Sequence, residues 1–193
     1  MPGGQPRVKG LRILIPAAGV VAASVGGACV WLVMSADSAV AVAVPKVTAQ
    51  VAQECADLSR HLPETVDGQS RDRTHPDSDL AAAWGGSPIV LTCGVAQPAA
   101  LTPGSSTYDP QALGAYIDGI SWLPVQVSDG WEFYADQRAV YVEVFVPSSY
   151  NLSDGNPGTD AVADLTPAVL AGTPNNQGKP GPDPNPGAAG TAQ

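Results

Sequence analysis

Glu132 and Glu143 are two of only four glutamates in this 193-residue chain, and each falls in a short run that alternates like a β-strand. Projecting from neighbouring strands onto one face, they would form a pair able to serve as general acid and base. Arg71 and Arg73 stand in a polar stretch, where they could grip an anionic group. Trp84, Trp122 and Tyr141 gather with Glu143 around the same presumed sheet and are candidates to line a surface or groove. The competing reading is packing, because large rings usually fill cores and strand carboxylates commonly face solvent.

Other chemistry finds little support. No nucleophile elbow, Ser-x-x-Lys, His-Glu-x-x-His or phosphate-cradling glycine loop occurs. His61 ends a helical run and His75 sits in a charged loop, so both read as solvated side chains. With no CxxC and only two histidines, no metal site and no cofactor is expected.

Cysteine chemistry is more informative. Downstream of the apolar N-terminal run there are two cysteines, Cys55 and Cys93. The phase of Val51, Cys55 and Leu58 turns Cys55 to the apolar face of a helix. Ile89, Leu91 and Cys93 share one face of a strand. A disulfide between them is expected in an oxidising compartment. The alternative is two buried free thiols.

The elements that must position these residues follow from periodicity. Thr48 can cap a helix running to about His61, where Pro63 ends it. Residues 64–79 read as a polar loop, with a turn at Asp67-Gly68. A buried strand is expected over 87–93. Short strands follow at 117–122, 125–128, 130–135 and 139–146, with bends at Asp118-Gly119, Asp129-Gly130 and 136–138. A last helix is expected over 160–171 with Val162, Leu165, Val169 and Leu170 as its stripe. Pro167 inside it suggests a start only at Thr166. The fold class is therefore α+β: a short antiparallel sheet with helices packed on one face.

Ahead of this domain, residues 13–34 are uncharged and almost wholly apolar, long enough to cross the roughly 30 Å core of a bilayer as a helix. Arg7, Lys9 and Arg12 precede the run, which places residues 1–12 in the cytoplasm and the remainder outside. Its length favours a retained single-pass anchor in the cell membrane. Cleavage near Ala36-Asp37-Ser38 or Ala41-Val42-Ala43 would instead release a secreted protein. Residues 35–46 read as a linker and 47–171 as the domain. Residues 172–193, rich in Pro, Gly, Asn and Ala, lack the apolar residues to order themselves. The part beyond the span carries six basic residues against 18 acidic ones, a formal −12. So acidic a domain excludes nucleic acid as a partner.

Several motifs, in order, resemble a catalogued family. They are Cys55-Ala-Asp-Leu58, Leu62-Pro63, Val66-Asp67-Gly68-Gln69 and Ala82-Ala83-Trp84-Gly85. Ile89-Val-Leu-Thr-Cys93-Gly94-Val95 with Pro98, and Gly119-Ile-Ser-Trp122, complete the series. Together they resemble exported bacterial proteins described as domain of unknown function 3515, over about residues 47–171. The family usually has Arg where this chain has Thr92, and Val-Asp where it has Ile120-Ser121. The resemblance implies export and anchoring but no activity. The leading expectation is a non-catalytic envelope module that binds a protein or cell-wall component. The alternative is a small envelope hydrolase or transferase using Glu132 and Glu143.

Overall fold

The computed structural model describes residues 39–112 and 114–175. The expected membrane span at 13–34 and the tail beyond 175 lie outside them. Among the described residues no helix is long and apolar enough to cross a membrane.

The first helix, α1 (Ala49–Ser59), starts where Thr48 supplies its cap: the Val51 amide donates to Thr48 Oγ1 at 3.3 Å. Val51, Cys55 and Leu58 are its buried residues, as the helical phase requires. The second, α2, spans Asp160–Gly172 as one helix with Pro167 inside it. Pro167 lies on the exposed side, and the Thr166 hydroxyl donates to the Val162 carbonyl at 2.8 Å. The expected stripe holds for Val162, Leu165 and Val169, whereas Leu170 is exposed.

Ten strands are described: β1 (Val40–Ala41), β2 (Thr65–Val66), β3 (Gln69–Asp72), β4 (Thr74–His75), β5 (Ala81–Trp84), β6 (Ile89–Cys93), β7 (Ala115–Ile117), β8 (Ile120–Val127), β9 (Gly130–Ala135) and β10 (Val142–Pro147). β1 pairs with β4 in parallel. The other eight form one antiparallel sheet in the order β2-β3-β5-β6-β10-β9-β8-β7. The sheet is thus not short. The region 64–79, expected as a loop, contributes β2, β3 and β4. Asp67 and Gly68, at φ 48° and 70°, close a two-residue hairpin there, the backbone that Asp-Gly accommodates best. β5 escapes sequence reasoning because its three alanines are weak strand formers, and its pairing to β6 holds it.

The strand expected at 117–122 straddles a hairpin turn at the expected Asp118-Gly119 bend, and its second part is continuous with the strand expected at 125–128. Asp118 and Gly119, at φ 46° and 99°, turn β7 into β8, which then runs unbroken through Pro124. β8 keeps that proline because β7 reaches only to the residue opposite Trp122. The missing N–H of Pro124 therefore faces a place where no strand needs it.

Both helices pack on the same face of the sheet, as expected. Val51, Cys55 and Leu58 of α1 share one core with Val162, Leu165 and Val169 of α2 and with Ile89, Leu91, Trp122, Phe133, Val142 and Val144. α2 touches both edge strands, β2 and β7, so the sheet curves around it. The disulfide joins Cys55 to Cys93 with Cα atoms 5.7 Å apart and fastens α1 to β6. Gly172 is required at the helix crossing: a Cβ there would lie 2.3 Å from Leu58 Cα.

Candidate functional site

β9 and β10 set Glu132, Tyr134, Glu143 and Phe145 on the face turned away from the helices, because alternate residues project together. The register puts Glu143 opposite Tyr134 and Phe145 opposite Glu132. The two glutamates are thus diagonal neighbours on adjacent strands, with Tyr134 between them. Its hydroxyl donates to Glu132 Oε2 at 2.7 Å. Burial, the bond to Glu132 and the nearby Glu143 together push the Tyr134 phenol far above its ordinary range. Burial also raises Glu143; a hydrogen bond from Tyr134 partly offsets this and the Glu132 charge adds to it. The phenol therefore stays neutral, with its one O–H directed at Glu132. Sequence reasoning placed the glutamates together but did not set Tyr134, one of the aromatics of the presumed sheet, between them, although the Glu132-Phe133-Tyr134 alternation carries the signal.

This outer face is largely covered. Ala83, Leu123, Tyr134 and Tyr141 are buried, and Thr92 nearly so. The sequence allowed two roles for Tyr141, packing or lining a groove, and Phe145 shares its side of the strand. Neither helix covers them. Tyr141 is enclosed, while Phe145 lines an apolar groove of about 350 Å³ with Val40, Ala41, Val90 and Pro147.

A larger groove of about 610 Å³ lies beside β3 and β4 and holds both predicted arginines. Arg71 stands opposite Trp84 in the β3–β5 pair, and its guanidinium sits 5.8 Å from the ring centroid. Stacking on the ring orients that cation. The Arg73 carbonyl accepts from the Val40 amide at 2.8 Å, which brings the chain near Ala39 to the groove wall. Glu64, Asp72, Asp77 and Asp79 supply four carboxylates to the same lining. The wall is therefore charged with both signs and is predominantly acidic.

The two tryptophans named as groove candidates belong to the core. Trp84 and Trp122 are fully enclosed. Trp84 Nε1 donates to the Pro63 carbonyl at 3.1 Å, and Trp122 Nε1 donates to Thr166 Oγ1 at 3.1 Å. Of the six groove candidates, the structure brings Arg71 and Arg73 together and places Glu143 on the opposite face of the sheet from Arg71.

Arg138 is a feature that sequence reasoning missed, since 136–138 reads as a bend. Its guanidinium is buried, with Nε donating to Thr173 Oγ1 at 3.0 Å and Nη2 to the Leu170 carbonyl at 3.3 Å. A cation at the C-terminal end of α2 satisfies carbonyls the helix cannot. Burial lowers the Arg138 pKa. Among the described residues no cluster of His, Cys, Asp or Glu could hold a metal ion.

A family model described as protein of unknown function (DUF3515) matches residues 13–177. No curated protein and no solved structure matches the chain.

Proposed function

The chain belongs to this family of proteins of unknown function, DUF3515, and we propose that it works as a non-catalytic binding module of the cell envelope. In this reading residues 13–34 anchor it in the membrane and the domain projects outside, where its partner is an envelope protein or a cell-wall component. The charge-mixed groove beside β3 and β4 carries the proposal. It presents two arginines, one oriented by Trp84, among four carboxylates, and among the described residues its lining contains no histidine, lysine or cysteine. Such a wall recognises a ligand that offers both charges in a fixed order, as a zwitterionic peptide does.

Photo-crosslinking from Thr74 of the full chain in its native envelope tests this. A discrete adduct that disappears in Arg71→Ala/Arg73→Ala is the expected result. No adduct, or one indifferent to both arginines, would count against the groove.

A hydrolase or transferase built on Glu132 and Glu143 is the second reading. It is supported by the shared face and by the raised pKa of Glu143. It requires a substrate to reach a largely covered face. Crosslinking yield unchanged in Glu132→Gln/Glu143→Gln would favour the binding module.

A further inference from the structure

We infer that β7 is an open docking edge that accepts an extended, positively charged segment of a partner protein as a ninth strand. β7 ends the eight-stranded sheet. Tyr116 stands opposite Ser121 of β8. The Ser121 carbonyl is directed the other way, accepting from the Asp136 amide at 3.3 Å. In an antiparallel ladder, a residue whose main chain bonds one neighbour presents nothing to the other. The Tyr116 N–H and C=O therefore point outward, away from β8, where an added strand would lie. Tyr116 is also the most exposed large apolar residue described, at 76%.

Natural sheet edges are usually guarded by lysine, proline, a bulge or a covering element. β7, Ala-Tyr-Ile, has no such residue, and Tyr116 is uncovered. Main-chain pairing with an extended segment is the recognition such an edge supports.

Charge identifies the occupant. From Leu80 to Gln137 the chain contains five carboxylates and neither lysine nor arginine. Asp118 is exposed immediately beside the strand. Arg138, which follows this stretch, is buried against Thr173 and the end of α2. A second copy of so acidic a domain would be repelled, and a basic segment attracted. The inference rests on the reading of the domain as a binding module and adds a surface distinct from the charged groove.

The test uses the full chain in detergent and two labelled extended peptides, one alternating Val/Thr with Lys and the other with Glu. The Lys peptide should bind, more weakly at high salt, and the Glu peptide should not. Tyr116→Pro, which removes the outward N–H, should weaken binding about tenfold or more, the equivalent of one or two lost hydrogen bonds. Tyr116→Ala, which keeps the main chain, should bind within about threefold of the unsubstituted protein, an effect below 1 kcal/mol. Should the proline chain fail to fold, hydrogen exchange of the unsubstituted protein decides, because the Tyr116 amide must become protected on adding the Lys peptide. Equal binding of both peptides, or of the folded proline variant, would overturn the inference. Dimers that depend on Tyr116 would overturn it in favour of self-pairing. Lys-peptide binding without protection of Tyr116 would refute this edge alone and leave the binding module standing.

Discussion

Glu143 shows how a residue's place on a strand decides its chemistry. Its side chain meets Tyr134 and Glu132 across the β9–β10 ladder, and burial lifts its pKa above the ordinary 4.5. The folded chain then holds that proton more tightly than the unfolded chain. Stability accordingly falls as pH rises from about the ordinary glutamate value through the raised one. Glu143→Gln removes this loss and leaves the Tyr134 bond to Glu132 in place. The thermal midpoint at pH 7 should rise by roughly 2–4 °C, about 1 kcal/mol in a chain of this size. The difference between the two proteins should vanish toward pH 4, and a midpoint lowered at pH 7 would show that the charge is stabilising. Period-two alternation made both glutamates visible in the sequence. Burial of Trp84 and Trp122 agrees with the packing reading of large rings, but their partners, the Pro63 carbonyl and Thr166, were not visible because they lie far away in the chain.

At the scale of elements, α1 and β6 were legible because each carries a clean periodicity, and their cysteines inherit it. The disulfide closes a 38-residue separation and confines the unfolded chain. Cys55→Ser or Cys93→Ser should cost roughly 4 kcal/mol by loop-closure entropy, measured by denaturant unfolding. A loss below about 1 kcal/mol would mean that core packing alone holds α1 to the sheet. Strands β2 to β5 were less legible, since polar, two-residue or alanine-rich strands carry no hydrophobic rhythm and exist through their partners. The α1–α2 crossing was invisible for the same reason: only the folded chain brings Gly172 onto Leu58. Gly172→Ala puts a Cβ against the Leu58 backbone and should destabilise by about 2–3 kcal/mol, within the range of overpacked cores. Gly86→Ala, which meets no atom within 4 Å, serves as the control and should change little.

Across the whole molecule, the domain extends past the boundary at 171 that composition suggests. Thr173 accepts from Arg138, and the Ala139 amide donates to the Pro174 carbonyl at 2.8 Å. Asn175 bridges back to Arg138. A chain ending at Asn175 should match the full chain in thermal midpoint, whereas one ending at Gly172 should lose about 1–2 kcal/mol with the Thr173 and Pro174 bonds. Equal midpoints would show that Arg138 holds the end of α2 unaided. Composition could not reveal this, because the contacts made by 173–175 are polar and return to a turn some 35 residues earlier.

Every role proposed for the groove and for β7 places the domain outside the membrane, in an oxidising compartment. The direct measurement is thiol mapping of the full chain in its own envelope, alkylated before lysis and digested without reductant. The predicted result is a linked peptide containing Cys55 and Cys93 as the dominant form. Recovery of both as separately alkylated thiols would contradict the disulfide and, with it, the placement of the domain on the envelope side.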